Sequence, residues 1–191
     1  MAFNANLGTQ TFKESTVIDY THPPVVLSFP VAMGQGELGP GTVLALNEAG
    51  AVVPYEKISQ NIGTGDGTTT TFSGSFQAPV EPGTILITDG TQTLKDDGYG
   101  NLYGDGSGKV NYATGDVEAT FESAPANGAS ITANAGRRLL GILIMRVDTN
   151  NEDTAPVLIH GCAVRENVTV GENSVDGETV ALLRAKQIFV K

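Results

Sequence analysis

Residues 84–94 read Thr-Ile-Leu-Ile-Thr-Asp-Gly-Thr-Gln-Thr-Leu, and this stretch decides the fold class. Thr84 to Thr88 and Thr91 to Leu94 alternate polar and apolar side chains, the period of a strand with one buried face. Asp89-Gly90 between them suits a two-residue type I′ turn. The same pattern extends in both directions. Thr68 to Phe72 precedes it, Lys109 to Ala113 and Asp116 to Phe121 flank Thr114-Gly115, and Gly128 to Thr132 follows the turn pair Asn127-Gly128. Gly104 to Lys109 reads as a hairpin tip. Short strands joined by tight turns predict a small all-β, sandwich-like unit over residues 62–135.

On either side the apolar runs are denser. Val25 to Phe29, Thr42 to Leu46 and Ala51 to Tyr55 read as strands, the last two joined by the turn residues Asn47 to Gly50. Leu139 to Met145 and Val157 to Val164 are densely apolar, as strands buried on both faces are. Asp176 to Thr179 caps a short helix running to Ala185, and Ile188 to Val190 closes as a strand. The expected fold is mainly β. A compact β-rich base of residues 25–61 and 136–191, with a short C-terminal helix, is interrupted by the β insert. Residues 1–24 are polar, end at Pro23-Pro24 and read as a flexible arm.

Composition narrows the function. Apolar residues make up 40% and charged residues 17%, which excludes a solvating disordered chain. A net charge of −10 repels phosphate backbones and anionic bilayers, so neither nucleic acid nor membrane is an expected partner. Cys162 is the single cysteine and excludes an intrachain disulfide. Met1 to Glu14 has no apolar run of signal-peptide length, and Leu139 to Met145 is too short to cross a bilayer. A soluble chain made in the cytoplasm is expected.

Constellations for chemistry are sparse. His160 and Cys162 stand two apart on a predicted strand and share a face, but no nucleophile turn surrounds them. A buried structural cysteine is the expectation. Gly104-Asp105-Gly106-Ser107-Gly108-Lys109 fails the phosphate-loop pattern at Tyr103 and Val110. Asp96, Asp97, Asn101 and Asp105 do not follow calcium-loop spacing and read as solvated loop carboxylates. Neither a cofactor, a metal nor a catalytic residue is predicted. Tyr99, Tyr103 and Tyr112 cluster in the insert and mark possible surface contacts there.

Gly41-Thr42-Val43-Leu44-Ala45-Leu46 and Gly50-Ala51-Val52-Val53-Pro54-Tyr55 form a Gly-Thr-Val-Leu … Gly … Val-Pro hairpin. Gly141-Ile142-Leu143 follows, then Ala181-Leu182-Leu183 and the ending Ile188-Phe189-Val190-Lys191. In this order and spacing the base resembles the head decoration proteins that stabilise tailed-bacteriophage capsids. The family typically lacks the insert, which itself looks like a small β domain recurring in phage virion proteins.

The resemblance implies a homotrimer at local threefold positions on the outer surface of the expanded capsid. It implies the major capsid protein as partner, cementing of neighbouring subunits, and no catalysis. The arm would then add a strand to a capsid sheet edge. Thr9, Thr11, Phe12 and Lys13 suit that edge, and Phe3 and Leu7 serve as apolar anchors. The alternatives are a module binding glycan on a host surface through the insert tyrosines, or another virion component of tail or baseplate.

Overall fold

The computed structural model describes residues 16–77 and 79–191. Phe3, Leu7, Thr9, Thr11, Phe12 and Lys13 of the expected arm lie outside the described residues. The chain is mainly β, with one α-helix among the described residues.

The first strands are β1 (Ile18–Asp19), β2 (Val25–Pro30), β3 (Glu37–Leu38), β4 (Val43–Leu46) and β5 (Val52–Pro54). The insert contributes β6 (Lys57–Thr64), β7 (Thr71–Ser75), β8 (Leu86–Thr88), β9 (Thr93–Asp96), β10 (Asn101–Gly104), β11 (Gly106–Val110), β12 (Asp116–Phe121) and β13 (Ser130–Gly136). The base resumes with β14 (Leu139–Leu143), β15 (Val147–Asp148), β16 (Thr154–Ala163), β17 (Thr169–Val170), β18 (Asn173–Ser174), helix α1 (Gly177–Ala185) and β19 (Ile188–Val190).

Strand β16 organises the base. Along its first part it pairs antiparallel with β2 and β14. Near its end it pairs antiparallel with β1 and parallel with β19. β14 passes the sheet on to β4 and then β5. Both faces are covered. On one side Val43, Ala45, Ile142 and Leu158 pack with Val180 and Leu183 of α1 and with Ile188 and Val190 of β19. On the other, Leu44, Val52, Leu143 and Val157 pack beneath Leu38 and Val147 of the β3–β15 pair. This double burial explains the dense apolar runs in β14 and β16, which His160 alone interrupts between Ala155 and Ala163.

Local chemistry fixes the ends. Asn47 Oδ1 accepts from Ala51 N at 2.9 Å and shapes the β4–β5 turn. Asp176 Oδ1 accepts from Thr179 N at 2.7 Å and caps α1. Beyond the helix the chain turns at Gln187, which adopts φ of +62°.

The insert is one eight-stranded antiparallel sheet in the order β6-β13-β8-β9-β10-β11-β12-β7. It rolls around a core that includes Phe72, Ile87, Leu94, Leu102, Phe121 and Ile131. Phe72 and Phe121 pack edge to face at 6.1 Å. A single rolled, nearly closed sheet thus does the work expected of two stacked sheets. Further differences from the sequence are local: β6 and β10 are additional strands, and the β8–β9 loop spans four residues, with Thr88 opposite Thr93. The expected tip Gly104–Lys109 narrows to Asp105 between paired Gly104 and Gly106, and the strand read as Lys109–Ala113 lies earlier, at Gly106–Val110.

Closure depends on two residues without side chains. A Cβ on Gly74 of β7 would lie 2.4 Å from Cγ2 of Ile62 on β6. A Cβ on Gly63 of β6 would lie 2.5 Å from the Phe72 ring on β7. Gln60 Nε2 donates across the seam to Ser75 O at 2.7 Å. Gly74→Val is therefore expected to destabilise the protein by about 1–3 kcal/mol, the usual cost of overpacking. Urea denaturation measures it; an unchanged midpoint would mean that the seam is open.

Candidate interaction surfaces

The insert leaves and rejoins the base through neighbouring strands, since Lys57 of β6 pairs with Gly136 of β13. The eight-stranded sheet accordingly spans residues 57–136, so it takes in residues 57–61 and 136, which the expected 62–135 boundary left to the base. A segment of the insert also folds back onto the base. Arg138 N donates to Pro79 O at 3.0 Å, and Val80 bridges to Arg137. The Arg137 side chain reaches Glu56 Oε1 at 2.7 Å and Gln77 Oε1 at 2.6 Å. Glu81 is 7% exposed. Its Oε2 accepts from Leu139 N at 2.8 Å, and its Oε1 pairs with Lys186 Nζ at 3.0 Å. One buried carboxylate thus ties the insert to the first residue of β14 and to the end of the helix.

Beside this junction lies a cleft of about 490 Å³. Tyr55 and Glu178 border it from the base, and Lys57, Leu86, Lys95 and Tyr103 from the insert sheet. Lys57 is engaged with Glu178 at 2.6 Å and Asp176 at 3.3 Å. The Tyr55 hydroxyl is buried and has no hydrogen-bond partner among the described residues. Burial pushes its phenol up to about 12, so it stays neutral at neutral pH.

The insert tyrosines separate into two kinds. Tyr99 is 90% exposed and Tyr103 54% exposed. Tyr112 is half-buried and structural: its hydroxyl donates to Asp96 Oδ1 at 2.5 Å and accepts from Gly100 N at 2.8 Å. Burial first, and then the bond to the Asp96 carboxylate, push its phenol upward. Of the three insert tyrosines, Tyr99 and Tyr103 are presented to solvent as aromatic surface and Tyr112 is not.

The acidic residues of this region hold loops. Asp96 Oδ2 accepts from Gly83 N at 2.5 Å, Asp97 Oδ1 from Tyr99 N at 2.7 Å, and Asp105 Oδ2 from Thr93 N at 2.8 Å. Among the described residues no group of three or more His, Cys, Asp or Glu is arranged to hold a metal. Cys162 is buried, and no hydrogen bond joins it to His160 among the described residues; His160 meets His22 instead.

The base exposes apolar groups where β2 runs along the rim of its sheet. Among the described residues β2 pairs with β16 alone, which leaves its other edge unpaired. Leu27 is 48% exposed on this strand, next to exposed Val25. An uncapped edge carrying apolar side chains is a template for another chain. Met33 and Met145 add further exposed apolar surface on the base. The chain as a whole matches no family model, and no curated protein or solved structure matches it either.

Two predictions arise from these carboxylates. Glu81→Ala leaves Leu139 N unsatisfied and Lys186 unpaired, and is expected to cost about 2 kcal/mol, the scale of a hydrogen bond to a charged group. Denaturant unfolding checks this, and loss below a few tenths would remove Glu81 from the junction. Asp89 titrates at about 2: burial raises it, but hydrogen bonds from Gln92 and Thr91 outweigh burial and lower it. A depressed carboxyl contributes stability above its unfolded value near 3.8, and that contribution is lost as pH falls towards 2. Between those values the native chain should lose stability more steeply than Asp89→Asn, as measured by denaturation at each pH; parallel curves would contradict the assignment.

Proposed function

We propose that the chain is a structural virion protein of tailed-phage capsids. It decorates the outer capsid surface as a homotrimer at local threefold positions and cements neighbouring copies of the major capsid protein, without catalysis. The single observation that supports this reading is how the resembling segments assemble. Gly41–Leu46, Gly50–Tyr55, Gly141–Leu143 and the helix–strand ending all meet in the base sheet and its helix-covered core. They were separated in sequence by the insert, yet they form one unit.

The physics of a shell under internal pressure favours such a role. A protein that bridges several subunits raises the effective concentration of each further contact. A closed trimer engages a threefold site three times. The apolar β2 edge supplies a surface that another protein chain covers, and the net charge of −10 keeps decorated particles apart in solution. Exposed Tyr99 and Tyr103 favour a second reading, in which the insert binds glycan on a host surface. A glycan array with Tyr99→Ala as control distinguishes it.

The expected arm runs to residue 24, but within it Val17 is buried and Ile18–Asp19 pair with β16, so the capsid-binding role is proposed for residues 1–15 alone. Removing residues 1–15 spares these contacts. The truncated chain is expected to keep its fold and its trimeric mass while losing capsid binding. Sedimentation with empty expanded capsids checks this. Binding as tight as that of the full chain would overturn the role of the arm.

A further inference from the structure

The sequence contains two histidines, and they meet in space across 138 positions. His22 Nε2 and His160 Nε2 stand 2.9 Å apart, with ring centroids 5.0 Å apart and planes tilted by 59°. Two neutral rings can share one proton in this arrangement. Once the shared proton moves to Nδ1, both Nε2 lone pairs face the same gap, as ligands to one transition-metal ion do. Tetrahedral coordination at about 2.0–2.1 Å sets two nitrogens roughly 3.3 Å apart, within a few tenths of an ångström of the spacing here.

We propose that His22 and His160 form a surface bis-imidazole site for a divalent transition-metal ion of the nickel, copper and zinc class. Each ring gives one Nε2 lone pair, and the ring that donated the shared proton carries it on Nδ1 instead. Water fills the remaining positions, since His22 is exposed and His160 only half-buried. Nitrogen donors favour this class over magnesium and calcium, which take oxygen ligands. With two protein ligands the site binds more weakly than a four-ligand structural zinc.

The surrounding backbone holds both rings in place. The segment before β2 runs along β16 in two stages: Asp19 pairs with Cys162, residues 20–24 loop out, and Val25 pairs with His160. His22 sits in the middle of that loop. Thr21 N donates to Asp19 Oδ1 at 2.9 Å, and Lys191 Nζ donates to Thr21 Oγ1 at 2.8 Å. Pro23-Pro24 stiffens the other side. Opposite, the register shifts between Leu158 and His160, and Gly161 adopts φ of +127°. A Cβ on Gly161 would lie 3.1 Å from Pro24 Cα, so the loop seats closely because that side chain is absent. A bound ion would therefore clip the segment leading into β2 onto the central strand of the base.

Calorimetric titration of the intact chain with zinc chloride, beside magnesium chloride, tests the proposal. The expected result is one zinc ion taken up per chain, no magnesium, and loss of zinc uptake in both His22→Gln and His160→Gln. Zinc should also raise the melting temperature of the intact chain and leave that of His22→Gln unmoved, because only binding to the folded state stabilises it. Acidification should weaken uptake, since protons compete for the same nitrogens. His22 is exposed, so His22→Gln keeps the fold and carries the test even where His160→Gln fails to fold. Absence of zinc uptake by the intact chain, or uptake undiminished in His22→Gln, overturns the site.

Discussion

The structure depends on one strand that must be satisfied on all sides. Thr154–Ala163 has a neighbour on each edge and a core on each face. Every backbone polar group inserted into such a position needs a partner, because water does not reach it. The chain meets this demand with segments from its beginning, middle and end: β1 and β2, β14, and β19. The base therefore cannot form until residues far apart in sequence have come together. That long-range closure is also what brings His22 to His160.

The insert solves a different problem. A chain that leaves a sheet and returns to it must come back to the same place. Pairing of β6 with β13 brings the two crossings side by side, and the rolled sheet buries its apolar face without help from the base. Such a unit, free to swing on two adjacent strands, would be a loose attachment. Glu81, Arg137 and the 79–81 segment stiffen it, because they bind the base beyond the crossing itself. In the proposed capsid role the stiffness matters, since what the insert touches is set by where the base sits.

Much of the fold was legible because its signals are local. The β4–β5 hairpin announced itself through Asn47 and Gly50, and the helix through Asp176, whose side chain does cap it. The apolar runs of β14 and β16 identified strands buried on two faces. Strand β10 was hidden because Asn101–Gly104 turns only Leu102 inward between polar residues and glycine. In β6 only Ile58 and Ile62 reach the core, and polar Gln60 stands between them on the same face, so the apolar alternation of a strand is interrupted in the sequence. Closure of the insert sheet was not legible at all, since it rests on Gly63 and Gly74 meeting across a seam. Of the surface candidates, Tyr99 and Tyr103 are displayed while Tyr112 is spent on Asp96. Glu81 lay between two prolines and carried no local mark of burial.

The proposed capsid role joins these pieces into one functional account. A doubly covered base presents an unpaired strand edge, and a stiffly attached insert extends the protein beyond it. The most direct measurement is a cryo-electron microscopy map of expanded tailed-phage capsids incubated with the full chain. The account predicts trimeric density over local threefold positions, with the base against the shell and the insert pointing outward. Bare threefold positions, or the chain bound singly at another location in the particle, would contradict it.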